Sequence, residues 1–170
     1  MDAALTDALI TQIYSAGAGR QPWDAALNTI SDVCDAWAVQ LMAIDKRSGT
    51  ALFSHYGGIA SPQAHLTYLR DYQRNNPRAP LVFAPIGPDW THCHEAFSDE
   101  QVAVSPFYQD FLIPFGARYA SIVKLVNDDG MGIVLGILRE VGKPQPKPVS
   151  SPGSTACVSI FPKRWPFTDI

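Results

Sequence analysis

The strongest constraint in this sequence lies late in the chain. Arg118 to Val126 and Met131 to Arg139 are runs rich in Val, Ile and Leu, joined by Asn127-Asp128-Asp129-Gly130. Branched apolar runs of that length favour extended backbone, and an Asn/Asp/Gly quartet supplies the turn that a hairpin needs. A hairpin is marginal alone, so other elements must cover at least one of its faces.

The upstream sequence supplies them. Leu5, Leu9, Ile10, Ile13 and Tyr14 recur at helical spacing over residues 3–16, and Gly17 and Gly19 end that element. Trp23, Leu27, Ile30, Val33 and Cys34 line one face of a second helix, opened by Pro22 and closed by Asp35. Ala36 to Asp45 reads as a strand with Trp37, Val39, Leu41 and Ala43 on one face. The turn Lys46–Gly49 leads to a returning strand, Ala51 to Tyr56. Pro62 opens a third helix to about Arg74, the turn-rich residues 75–90 read as a covering loop, and Trp90 to Ala96 reads as a short strand. Ser98 and Gln101 have capping-box spacing, and Ser105-Pro106 restarts a helix that ends at Pro114 to Gly116. Two hairpins separated by helices predict an antiparallel sheet with helices packed on it, an α+β domain.

Composition bounds what such a domain can do. Of 170 residues, 46% are hydrophobic and 17% charged, a globular balance, and a net charge of -3 lacks the basic excess of a nucleic-acid binder. No apolar run is long enough to span a bilayer. The cysteines, Cys34, Cys93 and Cys157, are odd in number and far apart, so a disulfide framework is not expected and a reducing cytoplasm is. The chain also changes character near its end. Residues 1–142 hold 9 basic and 15 acidic side chains, whereas residues 143–170 hold 4 basic and 1 acidic side chain and six of the 14 prolines. Residues 1–144 are therefore expected to form the domain, and 145–170 a proline-rich, basic, poorly ordered tail.

His92-Cys93-His94 is the cluster closest to metal chemistry. On a strand the two imidazoles would share a face, with His55, His65 or Asp89 as loose further ligands and Cys93 pointing the other way. A polar strand edge with Cys93 facing the interior is the preferred reading. A small metal-binding protein or enzyme built on this cluster is the alternative. Neighbours on a strand point apart, so neither histidine could serve Cys93 as a base. Hydrolase, phosphate-loop and dinucleotide motifs do not occur. The acids Asp128-Asp129 are explained by their turn.

The aromatic residues Tyr56, Tyr68, Tyr72, Phe83, Trp90, Phe107, Phe111 and Tyr119 fall between residues 56 and 119, on faces that form either core or the wall of an organic-ligand pocket. Asp110 and Arg118 are either surface charges or an ion pair joining helix to strand.

The block Ser105-Pro106-Phe107-Tyr108-Gln109-Asp110-Phe111-Leu112-Ile113-Pro114-Phe115-Gly116-Ala117-Arg118-Tyr119 resembles the N-terminal sensor region of bacterial LuxR-type helix-turn-helix transcriptional regulators. Ile13-Tyr14, Pro22-Trp23, Ala26-Leu27, Tyr68, Tyr72, Asn76-Pro77-Arg78, Gly87 with Trp90, and Leu138-Arg139 before Gly142-Lys143-Pro144 agree with it. The resemblance covers about residues 10–144. It implies a PAS/GAF-like antiparallel sheet enclosing a small-molecule pocket, in a cytoplasmic sensor domain that pairs as a homodimer or with an intact relative. Leu5, Leu9 and Ile13 are the expected dimer surface. The candidate ligand-binding residues are Tyr56, Tyr68, Tyr72, Trp90, Cys93, Phe107 and Phe111, and no catalytic residue, metal or cofactor is expected.

The family continues with a closing helix, a linker and a DNA-binding domain, and the sequence departs from that pattern at Pro144. The chain is therefore expected to be truncated before its helix-turn-helix and not to bind DNA itself. A shifted reading frame after about residue 144 would produce such a break. The run Tyr68…Asn76-Pro77…Trp90 is more distantly similar to acyl-homoserine-lactone receptors, in which an Asp before the proline accepts from the ligand amide. Asn76 stands here instead, a weaker acceptor, so lactone binding is not expected.

Overall fold

The structure is a computed structural model that describes residues 3–84 and 90–145. Expectations for the tail, for Gly87 and for Asp89 lie outside the described residues. Helices α1 (Ala3–Gly17) and α2 (Trp23–Cys34) precede strands β1 (Ala38–Asp45) and β2 (Thr50–Gly58). Next come α3 (Pro62–Thr67), a π-helical segment Tyr68–Tyr72, α4 (Ala79–Val82) and β3 (Trp90–His92). The chain continues through α5 (Cys93–Ala96), α6 (Asp99–Val104), a second π-helical segment Phe107–Leu112, β4 (Ala117–Asn127) and β5 (Met131–Glu140). The strands form one antiparallel sheet in the order β2-β1-β5-β4-β3, and with helices packed against it the fold is α+β, as the two hairpins predict.

Both hairpins close through side chains suited to turns. Asp128 Oδ1 accepts the amides of Gly130 and Met131, and Lys46 Nζ reaches across to Asn127 Oδ1 at 3.0 Å. The capping box is also present: Ser98 Oγ accepts from Gln101 N, and Gln101 Oε1 accepts from Ser98 N.

The pleat sends alternate side chains to two different cores. Val39, Leu41, Val123, Leu125, Leu135 and Ile137 pack with Leu9, Ile13, Leu27 and Ile30 of α1 and α2. Gly57 permits the close approach of α2, because a Cβ there would lie 2.6 Å from Asn28 N and from the carbonyl carbon of Leu27. On the opposite face Ala38, Met42, Ile44, Ala120, Ile122 and Val134 pack against Ala64, Tyr68, Val82, Phe107, Phe111 and Leu112.

Four expectations need correction. Trp37 precedes β1 and joins the second core, away from Val39 and Leu41, because the chain bends there: its carbonyl accepts from Ile59 N and Ala60 N. The strand begun at Trp90 ends at His92, where the sheet edge ends, and Cys93 opens a helical turn whose Phe97 N donates to Cys93 O. Leu9 and Ile13 are fully used inside the chain, so of the three α1 residues assigned to a dimer surface only Leu5 is exposed. Arg118 pairs with Asp99 at 2.8 Å rather than with Asp110, and lies over the Tyr108 and Tyr119 rings.

Candidate functional site

The second core is not completely filled. A cavity of about 50 Å³ lies among Trp37, Ala38, Gln40, Tyr56, Ala60, Ala64, His65, Tyr68, Arg78, Phe111, Leu112 and Leu138. A second space of about 40 Å³ lies over the middle of the sheet, bounded by Met42, Ile44, Val82, Phe83, Ile122, Val134 and Gly136 among others. Gln40, Tyr68, Arg78 and Leu138 line both, so the two spaces are lobes of one chamber divided by those four side chains. Each lobe is far below the roughly 300 Å³ at which ligand pockets usually begin. An occupant larger than a few waters must move the dividing side chains.

The two π-helical segments hold the wall opposite the sheet. In the first, Gln73 N donates to Tyr68 O at 2.7 Å, and in the second Ile113 N donates to Tyr108 O at 3.0 Å, each bond spanning one residue more than an α-helical bond. These wide turns face each other through rings. Tyr72 stacks on Phe111 with centroids 4.6 Å apart, Tyr68 stacks on Phe111 at 6.0 Å, and Tyr72 meets Phe107 edge-on at 6.2 Å. Such pairs contribute about 0.5–1.5 kcal/mol each beyond the area they bury, so the wall is well held. On the sheet side Tyr56 stacks on His65 at 4.3 Å, and Gln40 Nε2 donates to Ser54 Oγ at 2.9 Å.

Polar groups are few and deeply placed. Asn76 Nδ2 donates to the Tyr68 hydroxyl at 3.1 Å, and Asn76 Oδ1 accepts from Arg78 N and Nε at 3.1 and 3.0 Å. The Asn76 carbonyl is thus already engaged within the chain. Burial pushes the Tyr68 phenol up, with the Arg78 charge and the Asn76 hydrogen bond opposing. Desolvation holds His65 below the ordinary imidazole range, with a smaller contribution from His55.

Of the seven residues expected to bind ligand, the structure brings Tyr56, Tyr68 and Phe111 to the first lobe. Tyr72 and Phe107 stand behind them, packed on Phe111. Trp90 packs with the opposite core, the one under α1 and α2, because its partner Val123 faces that way. Cys93 is a buried free thiol whose Sγ accepts from Ala120 N at 3.0 Å and does not line either lobe. Sequence reasoning missed Trp37, Gln40, His65, Arg78 and Leu138. Only the alternation of β1 could have pointed to Gln40.

The His-Cys-His run is drawn into packing. His92 Nδ1 lies 2.8 Å from Ser121 Oγ, and His94 meets Tyr119 edge-on. Burial holds His92 below the usual imidazole range, with Glu95 opposing and His94 reinforcing. Among the described residues no group of three or more His, Cys, Asp or Glu side chains could hold a metal ion. Nor is any helix among them long and apolar enough to cross a membrane.

No family model matches the sequence, and no curated protein matches it. Among solved structures, the chain is similar to the N-acylhomoserine lactone dependent LuxR family transcription factor CepR2 from Burkholderia cenocepacia. The two share 16% identity at a TM-score of 0.61, over 92% of this chain and 88% of that one. At that identity the likeness is one of fold: a helix-covered antiparallel sheet of the α+β class.

Proposed function

We propose that this chain is the small-molecule-sensing regulatory domain of a LuxR-type transcriptional regulator, without DNA contact of its own. The observation that carries the reading is the two-lobed chamber, in which Gln40, Tyr68 and Arg78 stand among apolar walls. Pockets for organic ligands combine an apolar lining with a few placed polar groups in this way. The resemblance of residues 105–119 and the fold shared with CepR2 support it. The acidic balance of residues 1–142 speaks against a nucleic-acid surface.

The mechanism is a population shift. A ligand that spreads the lobes must displace Tyr68 and Leu138, and Tyr68 begins one of the two facing π-helical segments. Ligand therefore favours one arrangement of those segments over another. The change would reach a partner in a cytoplasmic homodimer, or a complex with an intact relative, through a surface that includes the exposed Leu5 and Tyr14 of α1.

The test is a thermal-shift screen of the purified chain against small organic molecules, with N-acylhomoserine lactones included. A binder raises Tm and changes the fluorescence of Trp37, which lines the first lobe, and Trp37→Phe removes that signal. A screen in which no compound moves either readout overturns the reading.

A further inference from the structure

Among the described residues, the chamber holds one charge without a counter-ion. Arg78 is 5% exposed and borders both lobes. Its Nε donates to Asn76 Oδ1, and its guanidinium carbon stands 4.7 Å over the centre of the Phe107 ring. Among the described residues the ion pairs are Arg70–Asp71, Arg118–Asp99, Arg139–Asp35 and Lys143–Asp35, so Arg78 has none. A buried guanidinium is costly unless it is paired, and one amide oxygen and one ring face balance it only in part.

Resting on the sensor reading above, we propose that the ligand is an organic carboxylic acid with an apolar body, bound as its carboxylate on Arg78. The planar fork of a guanidinium matches a carboxylate with two parallel hydrogen bonds. One cation balances one negative charge, which favours a carboxylate over a doubly charged phosphate. The rest of the chamber, with Phe111, Leu112 and Leu138 in one lobe and Met42, Val82 and Val134 in the other, demands an uncharged hydrocarbon or aromatic body. Asn76 decides the charge of the site. A carboxylate at that position would neutralise Arg78 from within, whereas the amide leaves the guanidinium to the ligand.

The experiment compares matched acids and amides on the whole chain by calorimetry and thermal shift. The probes are the straight-chain series from butanoate to decanoate, phenylacetate and indole-3-acetate, each beside its primary amide. At least one acid is expected to bind about tenfold or more tightly than its amide. Arg78→Gln removes that preference, and Arg78→Lys restores part of it. Asn76→Asp supplies an internal counter-ion and also removes the preference, while raising Tm; it carries the test should Arg78→Gln fail to fold. Amides that bind as well as their acids overturn the inference and leave the sensor reading standing. Absence of binding by every acid and amide, while other neutral compounds bind, overturns it in the same way. Failure of all compounds overturns both.

Discussion

Gly136→Ala is the most direct probe of the chamber. Gly136 lies in the middle of β5, between Val134 and Leu138 on the chamber side of the sheet. A Cβ added there meets nothing closer than Leu138 Cδ1 at 3.8 Å, with Gln40 O and Ile122 Cγ1 at 4.0 Å, all ordinary contact distances. Its φ is not among the positive ones, so alanine takes the same backbone without strain. Replacing a glycine within a strand contributes about 0.5–1 kcal/mol, and burying the methyl group adds about 0.8 kcal/mol. The expected gain is about 1–2 kcal/mol, which for a chain of this length raises Tm by about 3–6 °C. Urea titration at unchanged m measures the first figure and a thermal melt the second. The same methyl group takes up much of the 40 Å³ lobe, so whatever ligand the wild type binds is expected to bind less well. A variant no more stable than the wild type would refute the claim that open space lies above Gly136.

Other substitutions probe the surroundings. Gly57→Ala drives a Cβ into the α2 backbone and is expected to cost about 1–3 kcal/mol by urea denaturation; a loss below about 0.5 kcal/mol would show that α2 does not sit where described. Tyr108 has a phenol pushed up to about 12 by burial, and its hydroxyl has no hydrogen-bond partner among the described residues. Tyr108→Phe should therefore leave stability unchanged or raise it by up to about 1 kcal/mol, and a loss of that size would mean that the hydroxyl is engaged. The half-buried His65 and the buried His92 titrate below the ordinary imidazole value of about 6.5. In the unfolded chain they take up protons first, so stability is full above about pH 6.5 and falls as pH drops below it, until the folded pKa values are passed. Urea midpoints from about pH 7.5 to about pH 5.5 should show that decline, and His65→Asn with His92→Asn should flatten it. A wild-type profile already flat across that window would refute the assignment.

The sheet was legible because its signals are local. The Asn127–Gly130 and Lys46–Gly49 turns and the period-two pattern of the strands between 36 and 56 and between 118 and 139 need no tertiary context. The capping box at Ser98 is equally local. What escaped was decided by contacts distant in sequence. Trp37 alternates correctly with Val39 on paper, yet the bend fixed by Ile59 and Ala60 turns it to the other core. Cys93 departs from the strand because its thiol, and not its backbone, meets Ala120 N. Arg78 follows a proline in a loop and reads as solvated. Only the arrival of Phe107 above it, and of Tyr68 and Asn76 beside it, shows that it is inside. The aromatic residues could be picked out by type, but which of Tyr68, Tyr72, Phe107 and Phe111 touch the chamber depends on turns that helical periodicity does not describe.

Those turns carry a surplus. A bond from Tyr68 O to Gln73 N encloses one residue more than an α-helix would, and the same is true from Tyr108 O to Ile113 N. Removing a single residue from either loop would let it close to ordinary helical pitch, and each residue of an α-helix turns the chain by about 100°. In the first segment that rotation would swing Tyr72 off Phe111; in the second it would swing Phe111 out of the wall. The spacing between these aromatic residues is therefore as much a part of the chamber as their identity, and a one-residue deletion here would do more damage than most substitutions.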